Sequence, residues 1–400
     1  MTWTGSARKG KEHLATVLLF AMTISNLAAL PQLVPYLRSG YQNFTIFYAA
    51  GQMVRAGQTA NLYDLSQQYR AQKAFAPNVN IRQAALPYNH PPFEALLFVP
   101  FTRMSYWKAY LVWTLVNLIL LAASVAFLRK HFAEIRSLSP ILVGLAATAF
   151  FPIVSSIIQG HDCILLLFLY VLAAAAFAGE HDVASGALLA VGLFRFQLVL
   201  PLVLILAVRR CRMLLGFIPV AALLAGVSVA MVGWQGAIEY VNVILNLEKT
   251  GAGGSIVAAS MPNLRGMIAG IPGINATQAT VLTLIGSIAV FAVVMWQIRV
   301  TRYSALYTFT LATVAALLVS YHALTYDLSL LFPAVLFLFA IPSSGGRPGR
   351  LDTVLLAVFF LLPRFDLLGS WISPVCGFAV FLFWLFSKRE AQALAAAQPL

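Results

Sequence analysis

The chain of 400 residues is 60% hydrophobic and 10% charged, with a mean hydropathy of +0.84, which excludes a soluble globule, where about a quarter of residues are charged. The net charge of +13 would suggest a nucleic-acid partner in a soluble protein, but here it reads as loop charge against anionic lipid headgroups, and no nucleic acid is expected. Cys163, Cys211 and Cys376 lie in or beside apolar runs at no metal-ligand spacing, which argues against a disulfide framework.

Apolar runs fall at about 14–36, 107–128, 139–157, 163–178, 183–208, 213–233, 278–298, 304–320, 328–342, 351–362 and 371–387, many of them long enough to cross a bilayer. The first follows Arg8, Lys9 and Lys11 without a small-residue cleavage site and reads as an uncleaved helix. Two links are long. The first outer loop, 38–106, carries apolar and aromatic residues at helical spacing (Phe44, Phe47, Tyr48, Met53), and its "PPFEALLFVPF" suits a short helix at the outer interface. The second, 234–277, contains "GAGG" at 251–254, a candidate lid. The expected fold class is all-α: one polytopic helical membrane domain over residues 1–400, with about 11–12 membrane segments and short helices on the long outer loops.

The run at 183–208 decides the topology. As one helix it would send every later basic link outside. As a hairpin of two half-length helices meeting at "FRFQ", it leaves 15 Lys and Arg on inner links against 10 on outer ones. The positive-inside rule favours this broken-helix hairpin, with both termini cytoplasmic, and Pro201 just past the bend fits an interruption. Half-helices of about 12 residues rise only about 18 Å, so Arg195 and Gln197 would face a cavity open to the outside. An arginine at the centre of a membrane helix costs about 2.5–3.5 kcal/mol, so Arg195 needs a partner and a purpose. Asp162 is the natural partner.

The outer ends of the helices gather the polar residues: "YQNFTIFYAAG", "LYDLSQQY", "LPYNHPPF", "QGHDC", "MPNLRG" and "SYHALTYD". Plainer readings stand beside each. Asp64 can cap a helix, His322 and Asp327 can do the same, "QGHD" can be a simple polar turn, "YNHPPF" can be architectural, and an Arg195–Asp162 pair can merely lock helices together.

"NFTIFYAAGQMVRAGQTANLYD" followed by "LPYNHPPFEALLFVPFTRMSYWKAYLVW" resembles the N-terminal signature of glycosyltransferase family 87, polytopic GT-C-type enzymes that take sugars, often mannose, from polyprenyl-phosphate carriers. "QGHDCILLLF", "SGALLAVGLFRFQLVLPLVLIL" and "SYHALTYDLSLLFPA" resemble later family segments, so the likeness spans about residues 40–335. It implies a hexosyltransferase of the cytoplasmic membrane whose site faces outside, with a lipid-linked sugar donor, a glycan or glycolipid acceptor and no obligatory protein partner. The family's general-base aspartate precedes the Phe of the first motif; here that position is Asn43, which cannot accept a proton at neutral pH.

Such chemistry needs a cation at the leaving phosphate and a base at the acceptor hydroxyl. The expected catalytic set is Asp162, His322 and Asp327, with Asn43 at the substituted base position. Arg195 would grip phosphate with its planar fork, and Gln197, Gln159, His161, Tyr48, Asp64, His90, Asn263 and Arg265 would contact substrate. No nucleotide or metal motif is present, and no cofactor or metal is expected, an ion held between Asp162 and Asp327 being the arrangement the carboxylates would allow. Two other readings remain open: a lipid-linked sugar flippase, since broken helices are common in transporters, and a donor-binding pseudoenzyme.

Overall fold

The computed structural model describes residues 3–246, 257–301 and 303–340. The apolar runs at 351–362 and 371–387, Cys376, the basic links at 343–350 and 388–389, and the proposed lid at 251–254 lie outside the described residues. The described residues are mostly helical, joined by turns, bends and short irregular stretches such as 85–89, with no strand among them. In chain order the helices are α1 (Trp3–Arg38), α2 (Phe44–Arg55), α3 (Leu65–Lys73), α4 (Pro77–Arg82), α5 (Pro92–Phe98), α6 (Tyr106–His131), α7 (Ala133–Arg136), α8 (Pro140–Ala149), α9 (Phe151–Gln159), α10 (Cys163–Ala178), α11 (Asp182–Val191), α12 (Phe196–Ala207), α13 (Leu214–Asn246), α14 (Leu264–Ala269), α15 (Ala276–Val300), α16 (Ala305–Val319) and α17 (Phe332–Ala340). By length and composition, five segments among the described residues can cross a membrane, or six if the bent pair α8–α9 is one crossing. The chain is an all-α, multi-pass membrane protein.

Three details depart from the sequence expectation. The run at 139–157 is bent by 61° between α8 and α9. Pro152 has no N–H to give the Thr148 carbonyl, and its ring would clash there in a continuous helix; Asn26 of α1 donates to that carbonyl instead, at 2.8 Å. Pro201 lies inside α12 rather than at the bend. And residues 234–246 are helical, the end of α13 beyond a kink at Gly233, where φ is 72°, so the second loop is shorter than 234–277.

The 183–208 run doubles back. Its composition alone would allow a single 26-residue crossing, Asp182–Ala207. A straight helix would then hold its ends about 38 Å apart. Instead Arg210, three residues beyond, bonds the Asp182 carboxylate at 3.1 Å and the Phe177 carbonyl at 2.6 Å. The turn is a 3-10 segment, Gly192–Arg195, with Arg195 at φ −117°, ψ 53°. The two arms are therefore a hairpin whose feet return to one end of the bundle.

Glycine permits the closest approach there. A Cβ on Gly186 would collide with the Met213 carbonyl oxygen, and one on Gly216 with the carbonyl of Val183, so α11 and the start of α13 meet backbone to backbone. Replacing Gly186 by Ala is expected to cost about 1–3 kcal/mol of stability, seen as a lower midpoint of thermal unfolding in detergent. Gly226→Ala, inside α13 with nothing within 4 Å of an added Cβ, is the control for a glycine with open space around it.

The first loop is a compact helical cap. Residues Phe44–Gly51 of α2 are all buried, and Gly51 lies against the Phe98 backbone, which a Cβ would meet at 2.9 Å. α5, expected at the interface, turns Pro92, Glu94, Ala95 and Phe98 inward while Leu96 and Leu97 stay exposed.

Candidate functional site

The site is built on a turn. α9 ends at Gly160 in the left-handed conformation, φ 61°, and the His161 N–H closes back on the Ser156 carbonyl at 2.9 Å, a glycine-stopped helix end. Glycine is required twice over, since a Cβ would also sit 2.7 Å from Phe44 Cβ. From α6, Trp113 Nε1 donates to the Gly160 carbonyl at 2.9 Å and the Tyr110 hydroxyl to the Ile158 carbonyl at 2.8 Å. The turn so fixed presents His161, Asp162 and Cys163 to the bundle interior, exposed by 1%, 0% and 0%.

The hairpin brings Arg195 to this turn. Its Nε lies 3.0 Å from Asp162 Oδ1 and 3.2 Å from Oδ2, and its Nη2 is 2.8 Å from Oδ1 and 2.6 Å from His161 Nδ1. The Arg195–Asp162 partnership expected from sequence is present. On the other side, Nη1 lies 3.8 Å from Asp327 Oδ1, too long for a hydrogen bond. Asp327 accepts from the Leu324 N–H at 2.7 Å and from the Cys163 thiol at 3.2 Å. Tyr326 stacks on His161 at 3.9 Å between centroids and lies 5.7 Å below the guanidinium. Arg195 thus stands between Asp162 and Asp327.

The first loop supplies the third wall. Gln72 pairs with the Leu86 backbone in both directions, Gln68 accepts from the Tyr88 N–H, and the Tyr63 hydroxyl donates to the His90 carbonyl at 2.7 Å. These bonds hold the stretch before the two prolines, and Pro91–Pro92 open α5. His90 Nδ1 then sits 2.7 Å from Glu94 Oε2 and 3.7 Å from Asp162 Oδ2. Burial, then the Asp162 carboxylate, push the Glu94 carboxyl well above its ordinary range; burial, then the Arg195 charge, push the His90 imidazole well below its own. Phe47 of α2 packs edge-on against both His90 and His161.

The remaining sequence candidates divide. Asn43 is half-buried at the start of α2 and its N–H donates to the Gln159 side chain at 3.2 Å, which places both beside the turn. His322 is half-exposed, and its charge bears on His90. Gln197 is half-buried one step past the bend. Others hold the fold. Asp64 caps α3 through Ser66 and Gln67, and the Ser66 hydroxyl lowers its carboxyl below the usual range. Tyr48 donates to the Met104 carbonyl. Asn263 caps α14 and donates to the Ser320 carbonyl at 2.8 Å, while Arg265 donates to the Tyr321 carbonyl and lies over its ring. The last two tie α14 to the segment bearing His322. Glu94, Cys163 and Tyr326 were missed. Glu94 had a signal, an acid one turn after His90 in an otherwise apolar helix; Cys163 and Tyr326 had only their adjacency to chosen residues.

A buried guanidinium between two carboxylates, flanked by imidazoles and a carboxyl, can bind an anion, stabilise developing negative charge and exchange protons. The sequence model of glycosyltransferase family 87 matches residues 88–320, more than half the chain. That stretch holds His90, Glu94, His161, Asp162, Cys163 and Arg195, and it excludes Asn43, His322 and Asp327. No curated protein and no solved structure matches. The match begins at the last part of the first loop and runs through the turn and the hairpin that build the site, and on it the chain belongs to glycosyltransferase family 87.

Proposed function

We propose that this membrane glycosyltransferase moves a hexose, mannose-like, from a polyprenyl-phosphate carrier to a lipid or glycan acceptor on the outer face of the cytoplasmic membrane. The observation that carries the reading is the placement of Arg195: a buried cation at the tip of a doubled-back helix pair, with one terminal nitrogen 3.8 Å from Asp327, beyond hydrogen-bond reach of that carboxylate. A phosphate drawn to it would meet a planar fork able to form paired, charge-assisted bonds. The transition state is oxocarbenium-like; Arg195 would offset the charge growing on the leaving phosphate, and half-exposed His322 would take the acceptor proton.

The same hairpin supports an outward-facing site. Arg209 bonds the Tyr303 carbonyl at 3.0 Å and Arg210 bonds Phe177 and Asp182, so the basic links gather at the foot of α10 while the site lies at its head, about 24 Å away for a 16-residue helix. With basic links inside, the site faces outward. Cys211, exposed among these arginines, reports on this directly. A membrane-impermeant maleimide is expected to label it only after cells are permeabilised, with Cys211→Ser as the background; labelling in intact cells would reverse the orientation.

The transfer reading is tested by mass spectrometry of polyprenyl-phosphate sugars and envelope glycans with and without the protein. A donor that accumulates while one glycan disappears is the expected result. Unchanged total pools with altered sidedness would identify a flippase, and no change in either would identify a donor-binding pseudoenzyme.

A further inference from the structure

Glu94 is 2% exposed, and neither of its carboxylate oxygens has a hydrogen-bond partner; His90 Nδ1, in a side chain 5% exposed, has none either. The two atoms lie 2.7 Å apart without the alignment a hydrogen bond requires. Unsatisfied buried polar groups are costly, and here two of them point at the same spot. The charge count there is also unbalanced: Asp162 and Asp327 are opposed by the single guanidinium of Arg195, with the Glu94 carboxyl beside them, all within the protein interior. Buried charge must be paired, neutralised or bound to a metal.

We propose that His90, Glu94 and Asp162 form a binding site for one divalent transition-metal ion of the Mn2+ or Zn2+ kind. Their ligand atoms all lie within 4.8 Å of one another, slightly wider than the roughly 4.2 Å that separates opposite donors on bonds of about 2.1 Å, so a small inward turn of the side chains closes them around an ion. One imidazole with two carboxylates suits such ions better than Ca2+, which takes six to eight oxygens. Asp162 can serve both cations because its oxygens divide: Oδ1 takes the shortest Arg195 contacts, and Oδ2 is the oxygen 3.7 Å from His90. The neighbouring group of His161, Asp162 and Cys163 also has metal-ligand chemistry, but Arg195 Nη2 already covers His161 Nδ1 and Asp162 Oδ1. No linear motif announces the site because its ligands come from the start of α5 and the turn before α10. A dication there would balance the charge and stand beside Arg195 as a second electrostatic anchor for phosphate. That role rests on the transferase reading; the binding itself does not.

The test uses the full chain in detergent, stripped with chelator, and titrated with Mn2+ while the electron paramagnetic resonance signal of the free ion is followed. About one ion per chain is expected, displaced by Zn2+. Glu94→Gln and His90→Gln should each weaken binding about tenfold or more, since even outer-shell changes at metal sites cost 10–100-fold. Asp182→Asn at the far end of the bundle should bind as the unaltered protein does. Thermal unfolding adds a second readout: Mn2+ should raise the midpoint of the unaltered protein and not that of Glu94→Gln, which loses a buried acid and so should fold without the ion. Failure of the unaltered chain to hold either ion, or undiminished affinity in both Glu94→Gln and His90→Gln, would overturn the site. Because no donor sugar is present, a failed transferase reading leaves this result standing.

Discussion

Arg195→Gln is expected to abolish donor binding while leaving a protein that folds once Asp162 is also neutralised. The side chain is 3% exposed and its partner Asp162 is 0% exposed. Removing one member of a buried pair leaves the other charge uncompensated and typically costs 3–5 kcal/mol, whereas replacing both with neutral groups is often harmless. Arg195→Gln alone is therefore a destabilised protein on either reading, and Arg195→Gln with Asp162→Asn separates them. If the pair only locks the hairpin to the turn, the double variant recovers both stability and binding of a polyprenyl-phosphate sugar. If Arg195 grips phosphate, stability returns and binding does not. A hydrogen bond to a charged group contributes about 1.5–3 kcal/mol, so losing a two-point grip should weaken donor affinity at least about a hundredfold. Arg195→Lys should keep part of the affinity, as a point charge without the fork. Donor affinity measured on the double variant and on the unaltered protein, both in chelator so that any ion held by Asp162 is absent from each, decides the matter, and unchanged affinity would sink the phosphate role.

The sequence could place this residue because charge in an apolar run is costly enough to demand a reason. The same logic picked Asp162, the nearest acid at the outer end of the preceding helices. For Glu94 the signal, an acid one turn after His90, was weak: an acid on a short helix with apolar neighbours also reads as a solvated face, and only the tertiary fold shows it buried beside His90. The bend at α8–α9 was legible in principle, since Pro152 sits mid-run, but its repair by Asn26 joins residues 122 positions apart. The hairpin was recoverable from the distribution of Lys and Arg, because that distribution reflects crossings rather than local structure. Asp64, Asn263 and Arg265 show the opposite failure. Each is polar at a chain position where a ligand contact is plausible, yet each satisfies backbone groups at a helix end or tethers two segments. Spacing alone cannot separate a cap from a contact, because both want a short polar side chain just before a helix.

With Asn43 unable to act as a base, the proton acceptor must be found among the groups that the fold leaves within reach of an acceptor hydroxyl. Asp64 is committed to its cap. Asp162 is held by Arg195, and Asp327 shares its oxygens between the Leu324 N–H and the Cys163 thiol; both are completely buried. His322 differs in being half-exposed, on a segment anchored through Ser320 and Tyr321 by Asn263 and Arg265. His322→Gln is accordingly expected to lower turnover by about 10²–10⁴-fold, the usual contribution of a general base, while donor affinity stays within about threefold of the unaltered protein, since the proposed phosphate contacts of Arg195 are untouched. The split between turnover and binding is the signature that a merely structural His322 would not give, because a collapsed segment would lose both. Asn43→Asp supplies the counter-test. If His322 is the base, a carboxylate at position 43 changes turnover little; if turnover rises steeply with the same product, and His322→Gln loses its effect in that background, the chain is an enzyme weakened at its family's usual base. Should His322→Gln turn over normally while Asp327→Asn does not, the acceptor proton goes to Asp327 instead, which would require its bond to the Cys163 thiol to open during the reaction.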